Sequence, residues 1–135
     1  MLSNSQSLKD LIKGNEKFKN TNFPKLEKKY FDLVENGQNP QILFIGCSDS
    51  RVVPDLIVNS KPGDMFILRN IGNFVPPYCD DGDFHGSTAA IEYAVSVLGV
   101  KDIIVCGHSH CGACASLYED LSKKDNLQHA KNGYN

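Results

Sequence analysis

Three side chains that can do chemistry alternate along the stretch GCSDSRV, namely Cys47, Asp49 and Arg51, directly after the apolar run ILFI. A second stretch, HSHC, places His108 and Cys111 just beyond another apolar run. Two thiolates and an imidazole suit zinc, and the H-x-x-C spacing lets both of its side chains turn toward one ion. The two stretches therefore supply the donor set of a zinc site if the fold brings them together.

A fourth zinc position would stay open to water, as in catalytic sites. Asp49 would face that position, and Arg51 would grip it through two hydrogen bonds that keep it ionised, oriented and off the metal. Asp49 could then accept a hydrogen bond from a zinc-bound hydroxide and so aim its lone pair at an electrophile. Because two thiolates cancel the charge of the ion, we expect weaker acidification of water and the best activity at alkaline pH.

Each of these residues also has an ordinary structural explanation. A cysteine at a strand end is often a packing residue, and Asp49 with Arg51 could form a surface ion pair or an Asx turn. Gly112, in the turn after HSHC, could let the backbone approach the ion or its substrate, or could be a plain turn residue.

His110, Cys114 and Cys106 leave further alternatives open. His110 could replace His108 as a ligand or relay protons. Cys111 and Cys114 form a C-x-x-C pair that could be redox active, although His108 competes for Cys111. Cys106 lies inside an apolar run, so we expect it in the core.

Length and composition limit the class of protein. A chain of 135 residues has room for one domain with a modest core. Its 14 basic and 16 acidic residues are interspersed and give a net charge of −2, which argues against a nucleic-acid partner. No apolar signal core or membrane span is evident. We expect a cytoplasmic protein whose five cysteines act as ligands, nucleophiles or core residues.

The N-terminal part predicts two amphipathic helices, the second opening at Pro24 and stopped by Asn36-Gly37. Their apolar residues recur at helical spacing: Leu8, Leu11, Ile12 and Phe18, then Leu26, Tyr30, Leu33 and Val34.

The rest of the chain predicts an α/β domain with a parallel sheet. Short apolar runs predict strands buried on both faces at 41–46, 64–68 and 102–106. A short helix at 54–58 and an alanine-rich helix at 87–98 would connect them, with a loop at 70–84. Because ligands bind at the carboxyl ends of parallel strands, Cys47, His108 and Cys111 would converge there if the first and third strands are neighbours.

CSDSR followed far along the chain by HSHCG resembles the β-class carbonic anhydrases. The similarity runs from about Leu8 to Cys114 and includes LIKGNEKF, GDMFILRNIGNFVPP and STAAIEYAVSVLGVKDIIVCGHSHCGAC. The resemblance implies that Cys47, His108 and Cys111 bind one zinc ion. It implies that Asp49 and Arg51 form the catalytic dyad for reversible hydration of carbon dioxide to bicarbonate and a proton.

The plant-type branch of this family has substrate-pocket residues that match Gln38, Phe66, Ile71 and Tyr93 here. An amide can donate to bicarbonate while apolar walls exclude water. On periodicity alone the two aromatic residues and the isoleucine would be core residues. Phe44 stands where the allosteric bacterial branch has a tryptophan, so the resemblance favours the ungated type with water as fourth ligand.

The resemblance also implies a dimer in which the helical arm embraces its partner. We expect one domain over residues 1–135, with that arm at 1–37 and a zinc-binding α/β core at 38–135. Family members continue further, so we expect the sheet to lack their C-terminal strand and helices. Two short polar helices at most would follow within 116–135. The third strand would then be an apolar edge that another chain must cover.

Rival functions share these residues. A hydrolase of carbon disulfide or carbonyl sulfide would use the same metal site on sulfur analogues of carbon dioxide. A non-catalytic zinc-binding assembly subunit would bind metal without turnover. A thiol switch at Cys111 and Cys114 would depend on the second cysteine for its activity.

Overall fold

The structure is a computed structural model that describes residues 6–79 and 85–119. It divides the chain into two units, Met1–Gln38 and Asn39–Asn135, which we call the helical unit and the sheet unit. The division falls one residue beyond the predicted end of the arm. That both units belong to one domain stays a prediction.

The helical unit contains helix α1 (Gln6–Lys17), a π-helical turn (Phe18–Asn22) and helix α2 (Phe23–Asn36). The two predicted helices are present, but the backbone does not break between them, because Lys17, Asn22 and Phe23 all have right-handed helical angles. Pro24 lies in the first turn of α2, where a helix tolerates its missing N–H. Gly37, with φ of 77°, ends α2.

The sheet unit is built on three parallel strands: β1 (Ile42–Cys47), β2 (Met65–Asn70) and β3 (Asp102–Cys106). Their order is β2-β1-β3, so β1 is central, and the condition for convergence of the donor residues, that the first and third strands are neighbours, is met. Ile42 lies opposite both Met65 and Asp102, which aligns the carboxyl ends of the strands at one edge of the sheet.

Burial differs between the central strand and the edge strand. In β1, Leu43 and Ile45 are fully buried, as predicted for a strand covered on both faces. The same prediction is wrong for the two edge strands. β2 is half-buried apart from exposed Arg69, and in β3 Ile103 and Val105 are 51% and 52% exposed. The exposure of β3 agrees with the separate expectation of an apolar edge.

Helices connect the strands in the predicted order. They are α3 (Pro54–Val58), α4 (Gly86–Glu92) with a π-helical turn (Tyr93–Val97), and α5 (Gly112–Ser116) after β3. Ala94, in the alanine-rich helix, packs fully buried against Leu43 and Ile45, so the helix covers the centre of the sheet. Across the two described ranges, no helix has the length and hydropathy needed to cross a membrane.

Two predictions fall partly outside the described residues. The predicted loop at 70–84 contains a tight turn, Ile71–Asn73, followed by irregular backbone, and residues 80–84 are not described. The polar helices expected within 116–135 fall mainly on residues 120–135, which are also outside the description.

Gly72 shapes the turn that follows β2. Its φ of 84° lies in the left-handed region, and a Cβ placed there would come 2.5 Å from Cε2 of Phe74. Gly99, after the alanine-rich helix, also has a positive φ of 66°, but a Cβ there would meet nothing within 4 Å. The first position therefore needs glycine for two reasons and the second for one.

We expect Gly72→Ala to destabilise the fold more than Gly99→Ala. The second substitution should cost about 1–2 kcal/mol of unfolding free energy, because alanine is strained at positive φ. The first should cost roughly 1 kcal/mol more, because the Phe74 ring must also move. Urea unfolding of both variants beside the wild type measures the difference, and equal losses would contradict this account.

Candidate metal centre

The two polar stretches meet at the carboxyl edge of the sheet. Gly46 pairs with Cys106 across β1 and β3, so Cys47 ends its strand close to where the HSHC loop begins. His108 lies in that loop, and Cys111 immediately precedes α5. Parallel pairing therefore delivers three donor side chains from distant parts of the sequence to one place.

The donor atoms of Cys47, His108 and Cys111 all lie within 4.8 Å of one another. The two sulfur atoms are 3.9 Å apart, and the cysteines are only 5% and 8% exposed. The cluster contains His108 and not its neighbour His110. This geometry therefore favours His108 over His110 as the ligand.

His108 is oriented by the backbone. Its Nδ1 lies 3.0 Å from the carbonyl oxygen of Ser109, which can only accept, so Nδ1 carries the proton and donates. Its Nε2 is buried and, within the part of the chain that the structure describes, has no hydrogen-bond partner of good geometry. A buried lone pair next to two thiols, with the other ring nitrogen held by a carbonyl, is the usual arrangement of a metal-binding histidine.

The Cys47 sulfur lies in surroundings that favour the thiolate. Burial acts to raise the pKa of Cys47, but backbone hydrogen bonds from Asp49 and Gly72 and the adjacent side chains of His108 and Cys111 outweigh it and lower the pKa to about 7. The thiolate is the form that binds metals. The same contact with Cys47 raises the pKa of His108, followed by smaller effects of Ser109 and Asp49.

Zinc fits this donor set. Tetrahedral zinc with Zn–S bonds near 2.3 Å sets two sulfur ligands about 3.8 Å apart, and Cys47 and Cys111 are 3.9 Å apart. Soft thiolates with one imidazole also match the ligand preference of zinc over magnesium or calcium. Three protein donors leave one tetrahedral position for another ligand.

Asp49 and Arg51 form the two-pronged contact that the sequence predicted. Nε of Arg51 donates to Oδ1 of Asp49 and Nη2 donates to Oδ2, each at 2.9 Å, and the Arg51 backbone N–H adds a third bond to Oδ1 at 2.9 Å. These hydrogen bonds hold the pKa of Asp49 well below its usual range. Oδ2 lies 3.9 Å from Nε2 of His108, so the carboxylate stands beside the donor cluster.

Arg51 also joins the two loops. Its Nη2 donates to the carbonyl oxygen of His110 at 3.0 Å. His110 has a positive φ of 53°, an uncommon angle for a residue other than glycine. One guanidinium thus holds the carboxylate and the turn that carries two of the donors.

Comparison with known proteins identifies the family of this chain. The sequence profile of a family described as carbonic anhydrase matches residues 42–133. The chain belongs to the β class of the carbonic anhydrase family. Carbonic anhydrases of Synechocystis sp. and Pseudomonas aeruginosa are 47% and 46% identical to it over 117 and 110 residues. The alignments cover 87% and 82% of this chain but 42% and 49% of the relatives.

Solved β-carbonic anhydrases share the fold. The β-carbonic anhydrase CcaA matches 96% of this chain and 60% of its own at 42% identity, with a TM-score of 0.82. A tetrameric β-carbonic anhydrase of Sordaria macrospora matches 86% of this chain and 56% of its own at 38% identity, with a TM-score of 0.71. The chain spans about half the length of the curated relatives it matches.

In this β-carbonic anhydrase fold, the sequence analysis missed Arg69, which contacts the backbone of the candidate centre. Arg69, next to the last residue of β2, donates from Nε to the Cys47 carbonyl at 3.1 Å. Its Nη2 donates to the carbonyls of Asp49 and Val52 at 2.8 Å and 2.6 Å. The available signal was an arginine interrupting the apolar strand MFILRN, where a charge needs a polar partner.

The predicted substrate-pocket residues are less well defined. The rings of Phe66 and Tyr93 lie 5.8 Å apart between centroids. Of the three residues expected in the core, Phe66 is half-buried and packs against it. Ile71, in the turn after β2, and Tyr93, in the π-helical turn, are 57% and 45% exposed. Gln38 is exposed and belongs to the helical unit, so its part in this site stays a prediction.

The structure also bears on the alternatives for Gly112, Cys106 and Cys114. A Cβ at Gly112 would meet nothing within 4 Å, so protein packing does not require this glycine, and a role toward ion or substrate stays a prediction. Cys106, expected in the core, is only half-buried. Hydrogen bonding to Cys111 raises the pKa of exposed Cys114, which disfavours the thiolate needed for redox exchange.

Replacing Arg51 with glutamine should raise the pKa of Asp49. In the wild type the guanidinium favours the charged carboxylate, so Asp49 should remain ionised on acidification to about pH 3, whereas in Arg51→Gln it should titrate near the ordinary value of about 3.9. Carbon-13 NMR of the carboxyl carbon in metal-free protein measures both. Lys101→Gln, which removes an exposed charge before β3, is the control and should titrate like the wild type. Identical curves for Arg51→Gln and the wild type would contradict the assigned cause.

Proposed function

We propose that this chain forms the zinc-binding part of a carbonic anhydrase that hydrates carbon dioxide reversibly to bicarbonate and a proton. The observation that carries the proposal is the cluster of Cys47, His108 and Cys111, with donor atoms within 4.8 Å, beside an arginine-bound carboxylate. Membership of the family supports the reaction, and the cluster supports the assignment of these residues to the metal.

Cys47, His108 and Cys111 would hold one zinc ion. When bound, zinc would act as a Lewis acid that lowers the pKa of a water ligand and so supplies a hydroxide nucleophile. The low pKa of Cys47 favours loading near neutral pH, because little proton release is then needed. The carbonyl of Ser109 keeps Nε2 of His108 as the free lone pair.

Asp49 would orient the attacking oxygen. Arg51 donates to both carboxylate oxygens, which fixes the plane of the group and keeps it ionised. Oδ1 already accepts two hydrogen bonds, but Oδ2 accepts one and retains a second lone pair, so Asp49 can still accept a hydrogen bond from the nucleophile. A fixed acceptor beside the metal position selects the oxygen lone pair that faces carbon dioxide, and such positioning lowers the barrier.

Apolar rings would line the path of carbon dioxide. The ring of Phe66, the second residue of β2, lies 5.8 Å from the ring of Tyr93 between centroids. A weakly hydrated apolar gas enters such a lining without loss of strong hydrogen bonds, whereas water does not. We propose that these two rings contact the substrate, together with the exposed side chain of Ile71.

A dimer in the cytoplasm completes the proposal. Apolar side chains of the helical unit are exposed in the single chain, among them Leu11 at 72%, Phe31 at 63% and Val34 at 78%. A second copy could cover this stripe, which would otherwise lie in water. Metal binding by free thiols fits a reducing compartment such as the cytoplasm.

Stopped-flow hydration of carbon dioxide by protein of measured zinc content tests the proposed function. We expect about one zinc per chain and turnover above that of buffer. Cys47→Ser should lose both, because the ligand is gone. Asp49→Asn should keep the zinc and lose about 10²-fold or more of the rate. Cys114→Ser is the matched control and should keep both.

Three outcomes would point elsewhere. A full rate in zinc-free protein would remove the metal from the mechanism. Bound zinc without hydration, unaffected by Asp49→Asn, would indicate a non-catalytic zinc-binding subunit. Faster hydrolysis of carbonyl sulfide or carbon disulfide than hydration of carbon dioxide would indicate a hydrolase of sulfur analogues.

A further inference from the structure

The loop that follows Cys47 and carries Asp49 leaves the sheet almost at once. Its last contact with the β2 backbone is the bond from the Ser48 N–H to the Asn70 carbonyl at 2.8 Å. The chain then turns, with the Val52 N–H bonded to the Asp49 carbonyl at 3.0 Å. Beyond Ser48, the strand ladder therefore no longer fixes the backbone that holds the carboxylate.

The Arg69 side chain holds the loop backbone beyond the end of the strand pairing. Arg69 is opposite Gly46 in the register of β2 with β1, one residue before the end of the pairing. From there its side chain donates to the carbonyls of Cys47, Asp49 and Val52 at 3.1, 2.8 and 2.6 Å. The three carbonyls span the whole turn, so one planar group ties its beginning, middle and end to the neighbouring strand.

Only a guanidinium can make this set of contacts. Its donors lie in a rigid plane and point in fixed, divergent directions. A lysine ammonium is a single point with tetrahedral donors, and it could not meet Cys47 from one side and Asp49 and Val52 from the other. A glutamine offers one nitrogen and no charge.

Arg51 and Arg69 bind different parts of Asp49. Arg51 binds the carboxylate oxygens, whereas Arg69 binds the backbone carbonyl of the same residue. Arg69 also binds the carbonyl of Cys47, a proposed zinc ligand. The position of Asp49 relative to the metal therefore depends on both.

We propose that Arg69 is a positioning residue for the hydration reaction, fixing the backbone from Cys47 to Val52 so that Asp49 stands at the correct distance from the metal. This inference rests on the proposed function. Arg69 donates to the backbone carbonyls of Cys47, Asp49 and Val52 and not to the donor atoms of the cluster or the carboxylate oxygens of Asp49, so it acts through the backbone of the loop. A shift of about 1 Å in such a group can cost about 10²-fold in rate.

The test compares Arg69→Gln and Arg69→Lys with the wild type as zinc and cobalt(II) proteins. We expect both variants to bind about one metal per chain, to keep KM within about twofold and to lose tenfold or more in kcat. The visible ligand-field bands of the cobalt protein should change, because the ligand loop has moved. Lys101→Gln removes a positive charge elsewhere in the sheet unit and should leave kcat and the spectrum as they are.

Each remaining outcome decides the matter. A kcat within twofold of the wild type, with unchanged cobalt bands, would overturn the positioning role even if the melting temperature fell. Failure of both variants to fold would assign Arg69 to stability alone and would also overturn it. If the wild type binds metal without hydrating carbon dioxide, the proposed function fails, and the cobalt spectra alone then decide whether Arg69 sets the geometry of the centre.

Discussion

The parallel pairing of β1 with β3 is the constraint on which the rest of the sheet unit depends. It sets Gly46 opposite Cys106, and this register brings Cys47 to the same edge as the HSHC loop. A slip of one residue would turn Cys47 to the other face and separate the two sulfur atoms. The buried side chains of Leu43 and Ile45, packed against Ala94, hold β1 in this register. Core packing and the donor cluster are thus consequences of one strand alignment.

Charge and hydrogen bonding then refine what the register provides. The thiols lie where backbone N–H groups favour the thiolate of Cys47, and the Ser109 carbonyl directs a lone pair of His108 toward them. Arg51 keeps Asp49 ionised and spans to the carbonyl of His110. These contacts bind the two loops to each other, so their positions are set jointly. Such outer contacts commonly decide the orientation of metal ligands.

Much of this was accessible from the sequence, because short-range patterns encode it. C-x-D-x-R and H-x-x-C next to apolar runs predicted the donor cluster and the arginine–carboxylate contact. Periodicity could not predict that β3 would be exposed, since exposure depends on what covers an edge strand. Nor could it predict the π-helical turns, which are small shifts of hydrogen bonding in an otherwise helical pattern. Arg69 was missed because its partners are carbonyls, which every residue carries and no sequence pattern marks.

The central claim is that two sulfurs and one imidazole from distant loops hold a single zinc ion with one position left for solvent. X-ray absorption of the zinc-loaded protein at the metal edge tests it most directly. The account expects two sulfur neighbours near 2.3 Å, one imidazole nitrogen near 2.0–2.1 Å and one further light atom. A shell of four sulfurs, which would bring in another cysteine, or a shell with no sulfur at all, would contradict it.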